Sequence, residues 1–303
     1  MEYKASGGIM SRLQFILLLM STIIGFLGSQ QASAQLFLGS GHDLASSSQI
    51  TQGVQPGSIL ILGENHGLAA HRDQHLLILN QLRQQGLHVS VGLEFLNYTD
   101  QSALNQYRAG QMTDEQFLKA VNWGGFSFDF YKAQLIFPDL VQGEFSLGLN
   151  LPRVVTSQIS KNGLAALSEA DRQLLPPQFE LGRESYKQRF AQAAGAHCPS
   201  LDNCFAAQSA WDDTMAWQAT EFIRQHPDQV LVIVVGEFHV QYGGGLPYRI
   251  HQRMPQVAVR TVSQIWADGW TNEDIQQEVQ PSALEGPRAD FIWVSKPEDP
   301  AAP

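Results

Sequence analysis

The stretch SILILGENHGLAAHRDQH (58–75) decides how the rest of the chain is read. Ser58 to Leu62 is almost wholly aliphatic and shows no polar alternation, the pattern of a strand buried on both faces. Gly63 ends it, Glu64 and His66 follow at once, and a helical segment then carries His71 and His75. The same grammar returns in VLVIVVGEFH (230–239): an aliphatic strand, Gly236, Glu237, one residue, His239. Acids and imidazoles set directly on apolar strands call for a sheet whose strand ends meet in one place.

Working outward, HVSVGLEF (88–95) and FSLGLNLP (145–152) also read as buried strands. VAVRTVSQI (257–265) and ADFIWVSK (289–296) alternate more and belong nearer an edge. Between them lie helices. Leu76, Leu77, Leu79 and Leu82 form a stripe on one that Gly86 closes. Two short helices break at Gly110, the second capped by Thr113 or Asp114, and a longer one over 209–226 stops at Pro227. The alternation predicts an α/β fold: a mostly parallel central sheet flanked by helices. One strand among many helical pieces between 97 and 215 predicts a smaller helical insertion or lid, in segments of about 97–140 and 160–215.

The first 34 residues read as a secretory signal. Lys4 and Arg12 precede an apolar run from Phe15 to Leu27, and Ala32 and Ala34 have the spacing of a peptidase site. The expected cut lies between Ala34 and Gln35, leaving residues 35–303 as one domain with a disordered Pro-rich tail over 296–303. No cysteine stands at the cut, so no lipid anchor is expected, and the location is periplasmic or otherwise exported. The whole chain carries −10. Lys4 and Arg12 against Glu2 make the leader +1, so the remainder carries −11. That balance argues against nucleic acid and anionic membranes as partners. The only two cysteines, Cys198 and Cys204, bracket the turn-like PSLDN and are expected as a disulfide in an oxidising compartment. His197 is the only other metal-ligand type beside them.

In open parallel sheets the ligand crevice lies beyond the carboxyl ends of the strands. This chain delivers Glu64 and His66 after one strand, Glu94 at the end of the next, Arg153 after LGLNLP and His239 after VIVVG. Burying such groups together is costly without a ligand, a metal or mutual pairing, so these five are the candidate catalytic cluster. His71 and His75 stand four apart, the spacing of two helical metal ligands, but His75 is expected at the surface or as a cap.

The ordered set Gly63-Glu64-Asn65-His66, His71, Glu94, Asn150-Leu151-Pro152-Arg153, Asp212-Asp213-Thr214-Met215-Ala216 and Gly236-Glu237-Phe238-His239 resembles the ChaN-like haem-binding uptake family. That family shares a superfamily with the Tiki proteases and the erythromycin esterases. The resemblance runs over roughly 55–263 and implies two chemistries.

The first is haem or iron binding in the cell envelope, with haem as cofactor and iron uptake as the setting. Iron then needs a His or Tyr ligand and the propionates a cation. His71, Tyr98, Tyr131, Tyr186 and Tyr242 are the cofactor-binding candidates, with His197 as a further one. The aromatic run NWGGFSFDFYKAQLIF (122–137) either walls a flat apolar ligand or packs the lid on the core. The second chemistry is a hydrolase of unknown substrate. There Glu64, His66, Glu94 and His239 hold zinc or a manganese-type ion, or a Glu/His pair activates water alone, and Arg153 stabilises an oxyanion. Partners under either reading are haem or another small molecule, with room for a homodimer and for envelope uptake components.

Overall fold

The computed structural model describes residues 33–195 and 198–297. Most of the leader-like segment, the end of the tail and His197 lie outside the described residues. Seven strands form one sheet: β1 (Ser33–Leu38), β2 (Ile59–Glu64), β3 (His88–Asn97), β4 (Ser146–Asn150), β5 (Gln229–Gly236), β6 (Val259–Trp266) and β7 (Phe291–Lys296). Their spatial order is β1-β7-β6-β2-β5-β3-β4, and every neighbouring pair is parallel except β1 with β7. The fold is therefore α/β around a mostly parallel sheet.

All six strands read from sequence are present. β6 and β7 lie towards one edge, as their alternation implies. β4, read as buried, is the other edge strand, and helices rather than a further strand cover its apolar residues. The strand not anticipated is β1, which pairs Ser33 with Lys296 and Ala34 with Ser295. A cut after Ala34 would fall inside it and leave Gln35–Leu38 on the sheet edge.

Eleven helices surround the sheet among the described residues: α1 (Ser47–Thr51), α2 (Ala69–Gln84), α3 (Gln101–Arg108), α4 (Asp114–Ala120), α5 (Lys132–Ile136), α6 (Arg153–Asn162), α7 (Glu169–Arg172), α8 (Glu184–Ala194), α9 (Leu201–Gln225), α10 (Leu246–Arg253) and α11 (Asn272–Glu278). The strand pleat assigns them to layers. Leu60, Leu62, Val230, Val232 and Val234 face Ile78, Leu79 and Leu82 of α2 and the apolar sides of α3 and α4. Ile59, Ile61, Leu231, Ile233 and Val235 face the other way, onto Met215, Ala219 and Ile223 of α9 and Ile250 of α10. A third packing of Leu151, Val155 and Ile159 against Ala206 and Ala210 fastens α6 to α9.

The capping signals work as the residue types require. Gly86 takes a positive φ after α2, and the Thr113 side chain accepts from Gln116 N–H to start α4. Further along, PSLDN is not a free loop. Ser200 accepts from Asn203 N–H and starts α9 at Leu201, eight residues before the helix read from sequence. Cys204 thus lies in the first turn of α9, joined to Cys198 as a disulfide. No helix among the described residues is long and apolar enough to cross a membrane.

β3 and β4 touch most closely at Gly148, where an added Cβ would run into the backbone of Asn97. Neither side is a flexible side chain that could give way. Gly148→Ala should therefore cost roughly 1–3 kcal/mol, the range for overpacking, when measured by urea denaturation. A neutral substitution would show that the two strands part easily.

Candidate functional site

Every parallel strand that bears a candidate residue ends on the same rim. β2 and β5 are neighbours at the point where the chain leaves β2 towards β3 and leaves β5 towards β6. That is the topological switch at which α/β sheets open a crevice. A cavity of about 590 Å³ lies there, walled by Phe95 of β3, Trp123 and Phe126 from the α4–α5 connection, and Trp211 of α9. His66, Glu94 and Arg153 also line it. Its size falls within the range of small-molecule sites, about 300–1,000 Å³.

Two histidine–carboxylate pairs form the polar side. In the first, His66 Nδ1 lies 3.0 Å from Glu64 Oε1. Glu64 is buried and also accepts the Tyr131 hydroxyl at 2.7 Å. The His66 ring sits edge-on to Phe95 at 4.9 Å and against Phe126 at 5.1 Å. Its Nε2 makes no hydrogen bond among the described residues. Gly236 makes room for it, since a Cβ there would stand 2.9 Å from His66 Nε2 and 3.4 Å from Glu94 Oε2.

In the second pair, His239 lies between two acids. Its Nδ1 is 2.7 Å from Asp212 Oδ1 and its Nε2 is 3.4 Å from Glu94 Oε1. Asp212 also accepts the Tyr186 hydroxyl at 2.9 Å, and the other Glu94 oxygen accepts Gly236 N–H at 2.6 Å. Burial opposes a charge on His239, but the Asp212 and Glu94 carboxylates outweigh it and raise its pKa from 6.5 to about 10. Burial opposes the Glu94 carboxylate too. The charge and hydrogen bond of His239, with help from His66, bring Glu94 down from 4.5 to about 2. The arrangement is a buried carboxylate–imidazolium–carboxylate bridge tying α9 and β5 to β3.

Beneath Glu64 a polar stripe of α2 faces the sheet. His75 is fully buried, with Nε2 2.6 Å from Gln264 Oε1 and 3.8 Å from Glu64 Oε2. The surface position expected for it is therefore corrected. His71, His75, Ile78 and Leu82 share one helical face, and Gln264 and Glu64 give the imidazole polar partners that a buried ring needs. His71 is equally buried. It accepts Asn65 N–H at Nδ1 over 3.1 Å and leaves Nε2 without a partner. Burial, and then His75 beside it, lower the His71 pKa to about 4. Burial lowers that of His75 as well.

The structure thus brings His66, Glu94 and Arg153 to the cavity, with Glu64 behind His66 and His239 behind Glu94. Arg153 is exposed at the rim as the first residue of α6, and it makes no ion pair with Glu94. Val155 N–H at the start of α6 donates to the Pro152 carbonyl at 2.9 Å, and the N–H groups of Arg153 and Val154 are the first-turn donors that no carbonyl of that helix can reach. Glu237 goes elsewhere. It lies buried in an ion pair with Arg288 at 2.7 Å and accepts the Ser263 hydroxyl.

None of the four candidate tyrosines lines the cavity. Tyr98 donates to the Leu174 carbonyl at 3.0 Å, Tyr131 to Glu64 and Tyr186 to Asp212. Tyr242 packs beside Arg189, 5.0 Å from ring to guanidinium. Burial, followed by the neighbouring acid, pushes the Tyr131 and Tyr186 hydroxyls above their usual range, so both remain donors. The aromatic run divides: Trp123 and Phe126 wall the cavity, while Phe128 and Tyr131 are core.

The four residues expected as metal ligands fit that role poorly. Among the described residues no three His, Cys, Asp or Glu side chains are grouped to hold an ion. Glu64 and Glu94 are each turned onto a histidine instead. Asp212, named from the sequence only as part of the Asp212–Ala216 motif, is the acid to which sequence reasoning gave no role in the site. Its signal was an acid on a buried face of a long helix, where an unpaired charge is not tolerated.

Over residues 50–250 the chain matches the sequence family described as haem-binding uptake, Tiki superfamily, ChaN. Among solved structures it is similar to ChaN of Campylobacter jejuni, described with cofacially bound haem. The identity is 18%, the TM-score 0.61, and the match covers 87% of this chain and 97% of that one. At that identity the likeness shows a shared fold. An erythromycin esterase in its open conformation is more distant, at 11% identity and TM-score 0.48, covering 84% and 94% of the two chains. No curated protein matches the chain.

The bridge has a pH signature. His239's folded pKa of about 10 lies above its ordinary 6.5. Its contribution to stability is therefore intact below pH 6.5 and is lost as pH rises through 10. Glu94 contributes above pH 4.5 and loses its share as pH falls through 2. His71, with its pKa lowered to about 4, contributes above pH 6.5 and loses its share as pH falls through 4. Asp212→Asn should cost roughly 3 kcal/mol at pH 6.5, as breaking a buried pair does. In urea denaturation that deficit should shrink between pH 6.5 and 10. An unchanged deficit at pH 10 would mean that His239 carries no charge in the wild type.

Proposed function

The chain belongs to the ChaN-type haem-binding uptake family of the Tiki superfamily, and on that premise we propose that it binds haem in the 590 Å³ cavity, where His66 would hold the iron. The observation that carries the reading is the state of His66. Its Nδ1 is engaged by a buried carboxylate and its Nε2 is unbonded beside an aromatic-walled space. A carboxylate behind one ring nitrogen fixes the tautomer and makes the other a better iron ligand. Phe95, Trp123, Phe126 and Trp211 suit the flat faces of the macrocycle. Arg153 and the first-turn N–H groups of α6 suit its propionates. Bound haem would supply an iron centre open to an axial ligand.

We set this binding outside the cytoplasm, as a step in iron uptake. Two features support the setting: the leader-like pattern of the first 34 residues, and the pairing of the only two cysteines.

A second reading, hydrolysis, draws on the same dyad. Nε2 of His66 would take a proton from water while Glu64 holds the ring, and Arg153 would stabilise the oxyanion. Under it, Glu64→Gln abolishes turnover of an ester substrate and leaves the fold intact.

A haemin titration followed by absorption separates the readings. The purified protein should give a saturable, stoichiometric Soret shift. His66→Ala should weaken binding at least about tenfold, equivalent to about 1.4 kcal/mol. Tyr131→Phe should leave the band where it is, because that hydroxyl is turned to Glu64. Binding that survives His66→Ala and is lost with Tyr98 or Tyr242 would move the axial position to a tyrosine. No shift beyond that of a non-binding control protein would favour hydrolysis.

A further inference from the structure

A second cavity, of about 350 Å³, adjoins the first on the other side of Arg153 and Trp211, which line both. Its walls are mostly apolar: Phe190 of α8, Ala207 and Trp211 of α9, and the Cys198–Cys204 disulfide. Arg153 and Lys161, at opposite ends of the α6 stretch that borders it, supply two cations, and Thr156, Ser157 and Ser160 supply hydroxyls. No Asp or Glu lines the cavity among the described residues. Among the described residues neither cation makes an ion pair, whereas eight others do. In a protein of net charge −10, an apolar recess bordered by two cations, three hydroxyls and one amide, and by no acid among the described residues, is unusual. It is complementary to a ligand with a greasy body and an anionic end.

We infer that this second cavity is a binding site for an amphiphilic carboxylate, its chain between Phe190, Ala207 and Trp211 and its carboxylate against Arg153 and Lys161. The macrocycle belongs in the larger cavity, and the second site does not rest on haem binding. Gln208 links the two. It lines the second cavity, donates to the Tyr186 hydroxyl at 3.0 Å, and lies 3.2 Å from His239 Nδ1. An occupant in contact with Gln208 therefore touches a side chain that borders the His239 bridge.

The probe is 11-(dansylamino)undecanoic acid, titrated into the purified protein with fluorescence as the readout. Saturable one-to-one enhancement is expected. The methyl ester of the probe should bind at least tenfold more weakly. Lys161→Glu, a surface change, should weaken the acid at least tenfold with thermal unfolding unchanged. Ala207→Phe should abolish binding by filling the cavity, and Lys161→Glu carries the test if that variant does not fold. Equal binding of acid and ester, or no effect of Lys161→Glu, would overturn the site. So would one-to-one displacement of the probe by haemin from a folded Ala207→Phe protein, because the probe would then occupy the first cavity.

Discussion

The charge on His239 is the constraint on which the rest of the site depends. β3 and β5 would bring Glu94 and His239 together in any parallel sheet of this order. A carboxylate nearly buried beside an apolar cavity would, however, take up a proton or turn to solvent unless it were paired. His239 supplies the pairing, and it does so because Asp212 reaches across from α9 and outweighs the burial of the imidazole. Remove that acid and the imidazole keeps one carboxylate for two nitrogens. The Tyr186 and Gln208 contacts lose their purpose with it. A helix from one layer of the fold thus sets the electrostatics of a rim built by the sheet.

The first dyad follows the same logic with a different result. Glu64 is held by Tyr131 and backed by His75, and only His66 faces outward. Both acids are committed to imidazoles, which leaves the cavity with aromatic walls, one unbonded ring nitrogen, and the cation and N–H groups at the start of α6. That balance favours a flat, largely apolar, anionic ligand over a bare cation. The cost appears beneath it, in the polar stripe of α2. There His71 keeps a buried nitrogen with no partner, an expense in a core otherwise filled by Ile78, Leu79 and Leu82.

Much of this was legible in the sequence because of what a parallel strand does. A continuous aliphatic run followed by Gly-Glu or Glu can only present those residues at a carboxyl end, so Glu64, His66, Glu94 and His239 could be placed on one rim from the chain alone. Partners that approach from another layer left no such mark. Asp212 is one residue on a long helix, and only the tertiary packing of α9 on β5 reveals which acid meets His239. Nor does spacing show that the Tyr131, Tyr186 and Tyr98 hydroxyls are turned to Glu64, Asp212 and a backbone carbonyl. His75 looked like a surface residue because its polar partners, Gln264 above all, lie nearly two hundred residues away. β1 was masked by its overlap with the leader-like pattern.

The most direct measurement of the central claim is a long-range nitrogen–proton correlation spectrum of the histidine side chains at pH 8. At that pH an ordinary imidazole is neutral and shows one protonated and one unprotonated ring nitrogen. We expect His239, identified by its absence in His239→Gln, to show both nitrogens protonated, as a cation held between Asp212 and Glu94. A neutral pattern for His239 at pH 8 would contradict the account, because nothing would then hold Glu94 charged at the edge of the cavity.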